Sequence, residues 1–454
     1  MGKRVMGPFG LSMMTIAAIM SLRNLSLVSS FDAAAIFYYG VAGLIFLVPT
    51  ALVCAELGAT IPGNGGVYAW VSAVFGPRRA FISSWAAWII SIAWYPTALS
   101  FAAATIATLI DTQLASNGEF LWFTMMCLLW GATFLNFFGL RWSSALTSLT
   151  VMAGTIFPGL LLIGLGGYWF VTHPADALRL QQSAWVPEWT LGNLVFLSGV
   201  ILGFGGMEVA GFHVQQMKHP QRDYPKALLL SALFILVFTL LASLAISLVI
   251  PKDQLSILTG SLHLFVVFFE RLNHPEITQF IIGLIFVGTL AGLMTWIISP
   301  AKGILAGQGG GFLPAGLGKV NRHEVPVAIL VLQASIATVL SSVYLLVPHV
   351  QSAYWFLTAF TTQVSCLFYA TIFITGLYVR KVHPHSGAFR IPGGNWVMNM
   401  VCILGLMTAL VIFILDLVPP QGYNGLESGY YVAALVCGPL LLLLPAVVFA
   451  LRKK

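Results

Sequence analysis

Phe204-Gly205-Gly206-Met207-Glu208, running on to His219-Pro220-Gln221-Arg222-Asp223-Tyr224-Pro225, decides how this chain folds. The first five residues interrupt an apolar stretch that is otherwise long enough to cross a bilayer. A carboxylate beside two glycines inside a membrane span is costly to keep there, and residues of this kind usually mark a substrate or ion pathway. The segment therefore predicts a broken transmembrane helix, and with it a transporter.

Composition agrees with that reading. The 454 residues are 59% hydrophobic and only 8% charged, with a mean hydropathy of +0.92. A soluble surface needs about a quarter of its residues charged. Each span needs about 20 mostly apolar residues to cross roughly 30 Å of hydrocarbon, and twelve such stretches are found. They run over 9–31, 35–60, 80–110, 121–138, 145–171, 191–217, 226–250, 277–306, 325–347, 352–380, 394–417 and 429–451. Continuous apolar runs of this length exclude barrel strands, and in lipid only helices or closed barrels satisfy their own backbone groups. The expected fold is an all-α membrane protein of about twelve transmembrane helices.

Dealing the loops alternately to the two sides of the membrane sorts the cations. With the N-terminus in the cytoplasm, 17 of the 21 Lys and Arg residues fall inside, from Lys3 and Arg4 through Arg78, Arg79, Arg141, Lys218, Arg222, Lys226 and Arg380 to Lys453 and Lys454. The outer loops hold Arg179, Lys252 and Arg271 with most of the acids. Both termini are expected in the cytoplasm of a multi-pass protein of the plasma (inner) membrane. The net charge of +7 then reflects topology, and no nucleic-acid partner is expected. The first apolar stretch has no convincing cleavage site and is expected to remain as the first helix.

Other chemistries find little support. The five cysteines stand singly in apolar spans, without the paired spacing of zinc or redox sites. His383 and His385 are spaced like a metal pair but lack an evident third ligand. A channel would show rings of like charge or a repeated filter, and an enzyme a convergent catalytic constellation. Neither is found, so no catalytic residues, metal or cofactor are expected, proton coupling aside.

The first span is interrupted too, at Ser21-Leu22-Arg23-Asn24. Breaks in spans one and six are what an inverted five-plus-five repeat places opposite each other, where freed backbone groups can bind a substrate. Glycine permits the break in span six; in span one Ser21 and Asn24 must compete for backbone hydrogen bonds. Arg23 is the single basic residue deep in a span. It is expected either to snorkel outward or to meet an acid such as Glu208 or Asp32, with contact to a substrate carboxylate as the functional alternative. Glu208 reads either as a partner that tethers its helix or as a proton-linked carboxylate. Glu56 reads as structural.

Glu56-Leu57, Pro62-Gly63-Asn64-Gly65-Gly66-Val67-Tyr68-Ala69-Trp70 and Phe75-Gly76 closely resemble the segment that joins helices two and three in the amino acid-polyamine-organocation transporter superfamily. Gly206-Met207-Glu208 through Lys218 to Pro225 resembles that family's sixth helix and following loop, with His219 where Asn is usual. Trp296, Ser299-Pro300-Ala301-Lys302-Gly303, Leu313-Pro314, Lys319 to Arg322 and Val325-Pro326-Val327 resemble the eighth helix and its loop. Phe389-Arg390-Ile391-Pro392-Gly393-Gly394 completes the set. The last two segments look most like the bacterial glutamate/GABA antiporter branch.

The resemblance implies a LeuT-like transport core of helices one to ten over residues 1–380. Helices eleven and twelve follow over 381–454, with no soluble domain. It implies a secondary active amino-acid transporter, an antiporter working by alternating access on an amino acid or amine, within the lipid bilayer. A proton-coupled amino-acid or polyamine symporter is the alternative, with Glu208 as the proton carrier. The substrate site it implies lies between helices one, six, eight and ten, and is expected to include Met20, Ser21, Arg23, Phe204, Gly205, Gly206 and Trp296. Trp94, Tyr95 and Tyr369 are further wall candidates. This chain departs from the resemblance in three ways. The first break lacks glycine, Gly292 stands where the antiporters carry an acid, and Lys454 falls just after the twelfth helix, so no C-terminal plug is expected.

Overall fold

The computed structural model describes residues 7–62, 65–139, 149–150, 152–176, 180, 187–306, 311–384, 389–420 and 422–452. Lys3, Arg4, Gly63, Asn64, Arg141, Arg179, His385, Lys453, Lys454 and the start of the fifth span from 145 lie outside the described residues. The described elements are all helical. Eleven are long and apolar enough to span a membrane: α2 Asp32–Thr60, α3 Pro77–Ile110, α4 Gly118–Phe137, α5 Met152–Thr172, α6 Leu191–Val214, α7 Pro220–Val249, α8 Pro275–Leu305, α9 Val327–Leu346, α10 Val350–Val382, α11 Gly394–Leu415 and α12 Ser428–Arg452. The twelfth expected span is the first in the chain, and it misses that length because it is broken.

Its first piece, α1a, is Pro8–Ile19, and the Met20 N–H closes it on the Ile16 carbonyl at 2.7 Å. Met20 and Ser21 are extended, and a 3-10 turn Leu22–Asn24 then runs into Leu25–Ser29; these two segments together are α1b. The Ser21 hydroxyl accepts the Arg23 N–H at 3.3 Å. A serine oxygen thus caps the first turn after the break, where a preceding helical carbonyl would otherwise have accepted, so the chain restarts without glycine. Span six breaks as expected. α6a is Leu191–Leu202, and after Gly203 to Gly206 the chain resumes as α6b, Met207–Gln216. The second piece is a 3-10 helix ten residues long, where continued α-helix is expected; 3-10 runs beyond three or four residues are uncommon and mark strain or function. α3 and α7 begin at Pro77 and Pro220, earlier than the apolar runs at 80 and 226. A proline in the first turn has no N–H to leave unsatisfied, so the polar turn before each apolar run is already helical. Val67–Phe75 and Gly260–Arg271 add two helices too short to span.

α3 and α10 form the interior, with 83% and 78% of their central windows buried, whereas α12 is only 17% buried. Leu230, Leu233, Leu404, Leu441 and Leu444 turn outward, as residues solvated by lipid do. Hydroxyls stitch α1 to α7 on both sides of its break. Ser12 donates to the Ala227 carbonyl and Ser231 to the Ser12 carbonyl, while Ser29 donates to the Ser243 carbonyl and Ser247 to the Ser29 carbonyl. In lipid such side-chain bonds hold helices together where the hydrophobic effect does not. Asp416, just past α11, accepts from Ser198 of α6a and bonds Thr362 of α10.

α5 and α8 touch through glycine. A Cβ on Gly288 would lie 2.6 Å from the Gly154 Cα, so the two backbones meet with nothing between them. Gly288→Val is expected to lower stability by about 1–3 kcal/mol through overpacking, seen as a fall in the melting midpoint of the detergent-solubilised protein. Gly283→Ala, one turn away with open space around its Cβ position, is expected to leave the midpoint unchanged or raise it.

Candidate functional site

The two breaks meet. Gly206 has φ +122°, and a Cβ there would stand 2.9 Å from Cγ1 of Ile19, the last residue of α1a. Only glycine adopts that backbone without strain, so the sequence fixes both the turn and the approach. The Gly206 N–H donates to the Tyr369 hydroxyl at 2.7 Å and to the Glu208 carboxylate at 3.2 Å. Tyr369, on α10, donates its own proton to Glu208 at 2.9 Å. Glu208 therefore folds back over the start of α6b, bonded to the Gly206 N–H and the Tyr369 hydroxyl.

Beside the breaks lies a cavity lined by Met20, Ser21 and Asn24 of α1, Tyr39 of α2, Gly199 and Gly203 at α6a, and Thr239 of α7, among others, with about 330 Å³ of empty space including its open mouth. Most of that space is too narrow for anything but water. An amino acid fits only after side chains withdraw.

The expected site residues divide between this cavity and a second cluster. Met20 and Ser21 line the cavity. Phe204 is fully buried, its ring centroid 4.7 Å from that of Tyr39. Gly205 lies against the Tyr369 hydroxyl, 2.9 Å from where its Cβ would be. Arg23 and Trp296 belong to the second cluster. The Arg23 guanidinium carbon lies 5.3 Å from the centroid of the Trp94 ring, and that ring is 5.6 Å from Trp296. Tyr95 donates to the Trp296 carbonyl at 2.9 Å, tying α3 to α8.

Arg23 departs from both of its structural expectations. It does not snorkel, being only 7% exposed, and among the described residues no carboxylate pairs with it. Its Nη1 donates to the Thr97 hydroxyl at 2.6 Å and its Nε to the Asn24 side-chain oxygen at 3.3 Å. Thr97 stands one turn beyond Trp94 on the same face of α3, which brings a ring and a hydroxyl to one cation. That spacing was the available signal for Thr97. Tyr39 and Thr239 carry no such signal, because only the packing of α2 and α7 turns them inward.

The chain is similar in sequence to known transporters. The chain is 40% identical over 421 residues to an uncharacterized transporter of Legionella pneumophila, covering 92% of this chain and 90% of the relative. It is 24% identical over 463 residues to a glutamate/gamma-aminobutyrate antiporter of Lactococcus lactis, covering 100% and 92%. It is also 21% identical over 427 residues to a probable agmatine/putrescine antiporter of Lactococcus lactis, covering 92% and 89%. The amino acid permease family matches residues 6–439. With that span of agreement, the chain belongs to the amino acid permease family.

Proposed function

We propose that this protein is a secondary active antiporter that exchanges amino acids or their amines across the plasma membrane by alternating access. The observation that carries the reading is the junction of the two broken helices, where Gly206 meets Ile19 and a carboxylate, a tyrosine hydroxyl and a small cavity gather at the break. Broken helices paired in this way build transporter sites because they free polar backbone groups within the membrane. Antiport is supported by the glutamate/gamma-aminobutyrate and agmatine/putrescine antiporters among the relatives. In this reading α1 to α10 form the inverted-repeat core, α11 and α12 lie outside it, and both termini face the cytoplasm. The substrate lies between α1, α6, α8 and α10, within reach of Met20, Ser21, Arg23, Phe204, Gly205, Gly206 and Trp296.

Counterflow in proteoliposomes tests it. Vesicles loaded with unlabelled amino acids, GABA or diamines, one at a time, are expected to accumulate the labelled counterpart, while empty vesicles accumulate little. Uptake into empty vesicles driven by a proton gradient would instead favour the symporter, with Glu208 as its proton carrier. The position of that carboxylate at the break is what supports this second reading.

A further inference from the structure

A cation as buried as Arg23 costs several kcal/mol when nothing of opposite charge faces it. Among the described residues its partners are neutral: Thr97 and Asn24 accept its hydrogen bonds, and Trp94 lies beside it. Tyr344 and Tyr354 are close enough to feel its charge. Thr97 also donates to the Trp94 carbonyl at 2.9 Å, which turns its oxygen lone pair toward the guanidinium. The arginine is thus held in place by groups that orient it and leave its charge unanswered.

The alternative receptor for an anion is already partly occupied. A broken helix offers the free N–H groups of its second half to a carboxylate. Here one N–H at each break is taken by a group from within the chain. Ser21 takes the Arg23 N–H ahead of α1b, and Glu208 with Tyr369 takes the Gly206 N–H ahead of α6b.

We propose that Arg23 is the anion receptor of this protein: its guanidinium takes a carboxylate of the transported molecule, so carboxylate-bearing amino acids are carried and diamines without a carboxylate are refused. This rests on the transporter reading above and narrows it to a substrate class. The planar fork of arginine matches a carboxylate with two parallel hydrogen bonds. Trp94 lies 5.3 Å from the guanidinium carbon and packs against Trp296 at 5.6 Å.

The test uses the full-length protein in proteoliposomes, with labelled glutamate, glutamine, GABA, putrescine and agmatine as probes. The wild type is expected to exchange at least one of the three carboxylates and to carry both amines at less than about a tenth of that rate. Glutamine against GABA separates a receptor for the α-carboxylate from one for a carboxylate remote from the amine. Arg23→Gln is expected to raise KM for the carried carboxylate by about 10–100-fold, the scale of a charge-assisted hydrogen bond. Arg23→Lys, which keeps the charge and loses the fork, is expected to fall between. The melting midpoint of Arg23→Gln without ligand is expected to match or exceed that of the wild type, because a lone buried charge has been removed, while the ligand-induced rise in midpoint disappears. A lowered midpoint with unchanged KM would make Arg23 a structural residue and overturn the proposal. Equal wild-type exchange of putrescine and GABA would overturn it while leaving the transporter reading intact. If no probe is exchanged, the transporter reading falls; a carboxylate-dependent rise in midpoint that Arg23→Gln abolishes would still support the receptor, and no rise with any carboxylate would overturn it.

Discussion

Glu56→Ala is expected to leave little folded protein. Glu56 is 1% exposed, and Arg380 grips its carboxylate with both arms of the fork, Nε to Oε1 at 2.6 Å and Nη2 to Oε2 at 2.7 Å. The Ile391 N–H adds a third bond at 2.8 Å, and Arg380 returns one to the Ile391 carbonyl at 3.0 Å. Four bonds thus join the end of α2, the end of α10 and the strap that leads into α11. Deleting one partner leaves the other charge buried and unanswered, at about 3–5 kcal/mol, against a total stability of about 5–15 kcal/mol for a typical fold. Yield of monodisperse protein and its melting midpoint read the effect. Replacing both residues with well-packed apolar ones is expected to do less damage than Glu56→Ala alone, since no lone charge remains. A midpoint for Glu56→Ala equal to that of the wild type would show that the pair contributes nothing.

Gly206→Ala is expected to abolish exchange while sparing most of the fold. Its φ of +122° and the 2.9 Å approach to Ile19 both exclude a side chain. Strain of this kind costs about 1–3 kcal/mol, which an intact transmembrane bundle tolerates. The junction of the two helices does not tolerate it, because the backbone must shift to relieve the clash, and a displacement of about 1 Å at a reacting or binding site can cost roughly 100-fold in rate. Counterflow rates normalised to protein inserted in the vesicles measure it. Gly167→Ala, in α5 with open space around the Cβ position, is the matched control and is expected to exchange normally. Normal exchange by Gly206→Ala would mean that the junction can move aside without cost to transport.

The spans were legible because lipid leaves a chain few options: long apolar runs and a glycine-rich gap carry enough information to place helices, whereas the earlier starts at Pro77 and Pro220 were not read. The break at Ser21 was legible on weaker grounds, and the hydroxyl that caps the start of α1b is the kind of competition those residues offer. The winding of α6b was not legible. A 3-10 and an α-helical backbone place apolar residues at spacings too alike to separate over ten positions. Arg23 marks the sharper limit. Its burial cost was readable from one sequence, and the expectation of an acid or an outward reach followed from that cost. Its actual partner, Thr97, sits 74 residues away, and a neutral hydroxyl beside a buried cation is not what electrostatics alone selects. Glu56 was legible as a structural acid, whereas its partner Arg380 sits 324 residues away and was found only by folding the chain.

The serine bonds that fasten α1 to α7 bear on how the protein is made. The anchors of both pieces of α1 on α7 lie 214 to 219 residues further along the chain. These four bonds can form only once the seventh helix has been synthesised and inserted, so the packing of α1 on both sides of its break is completed late in assembly.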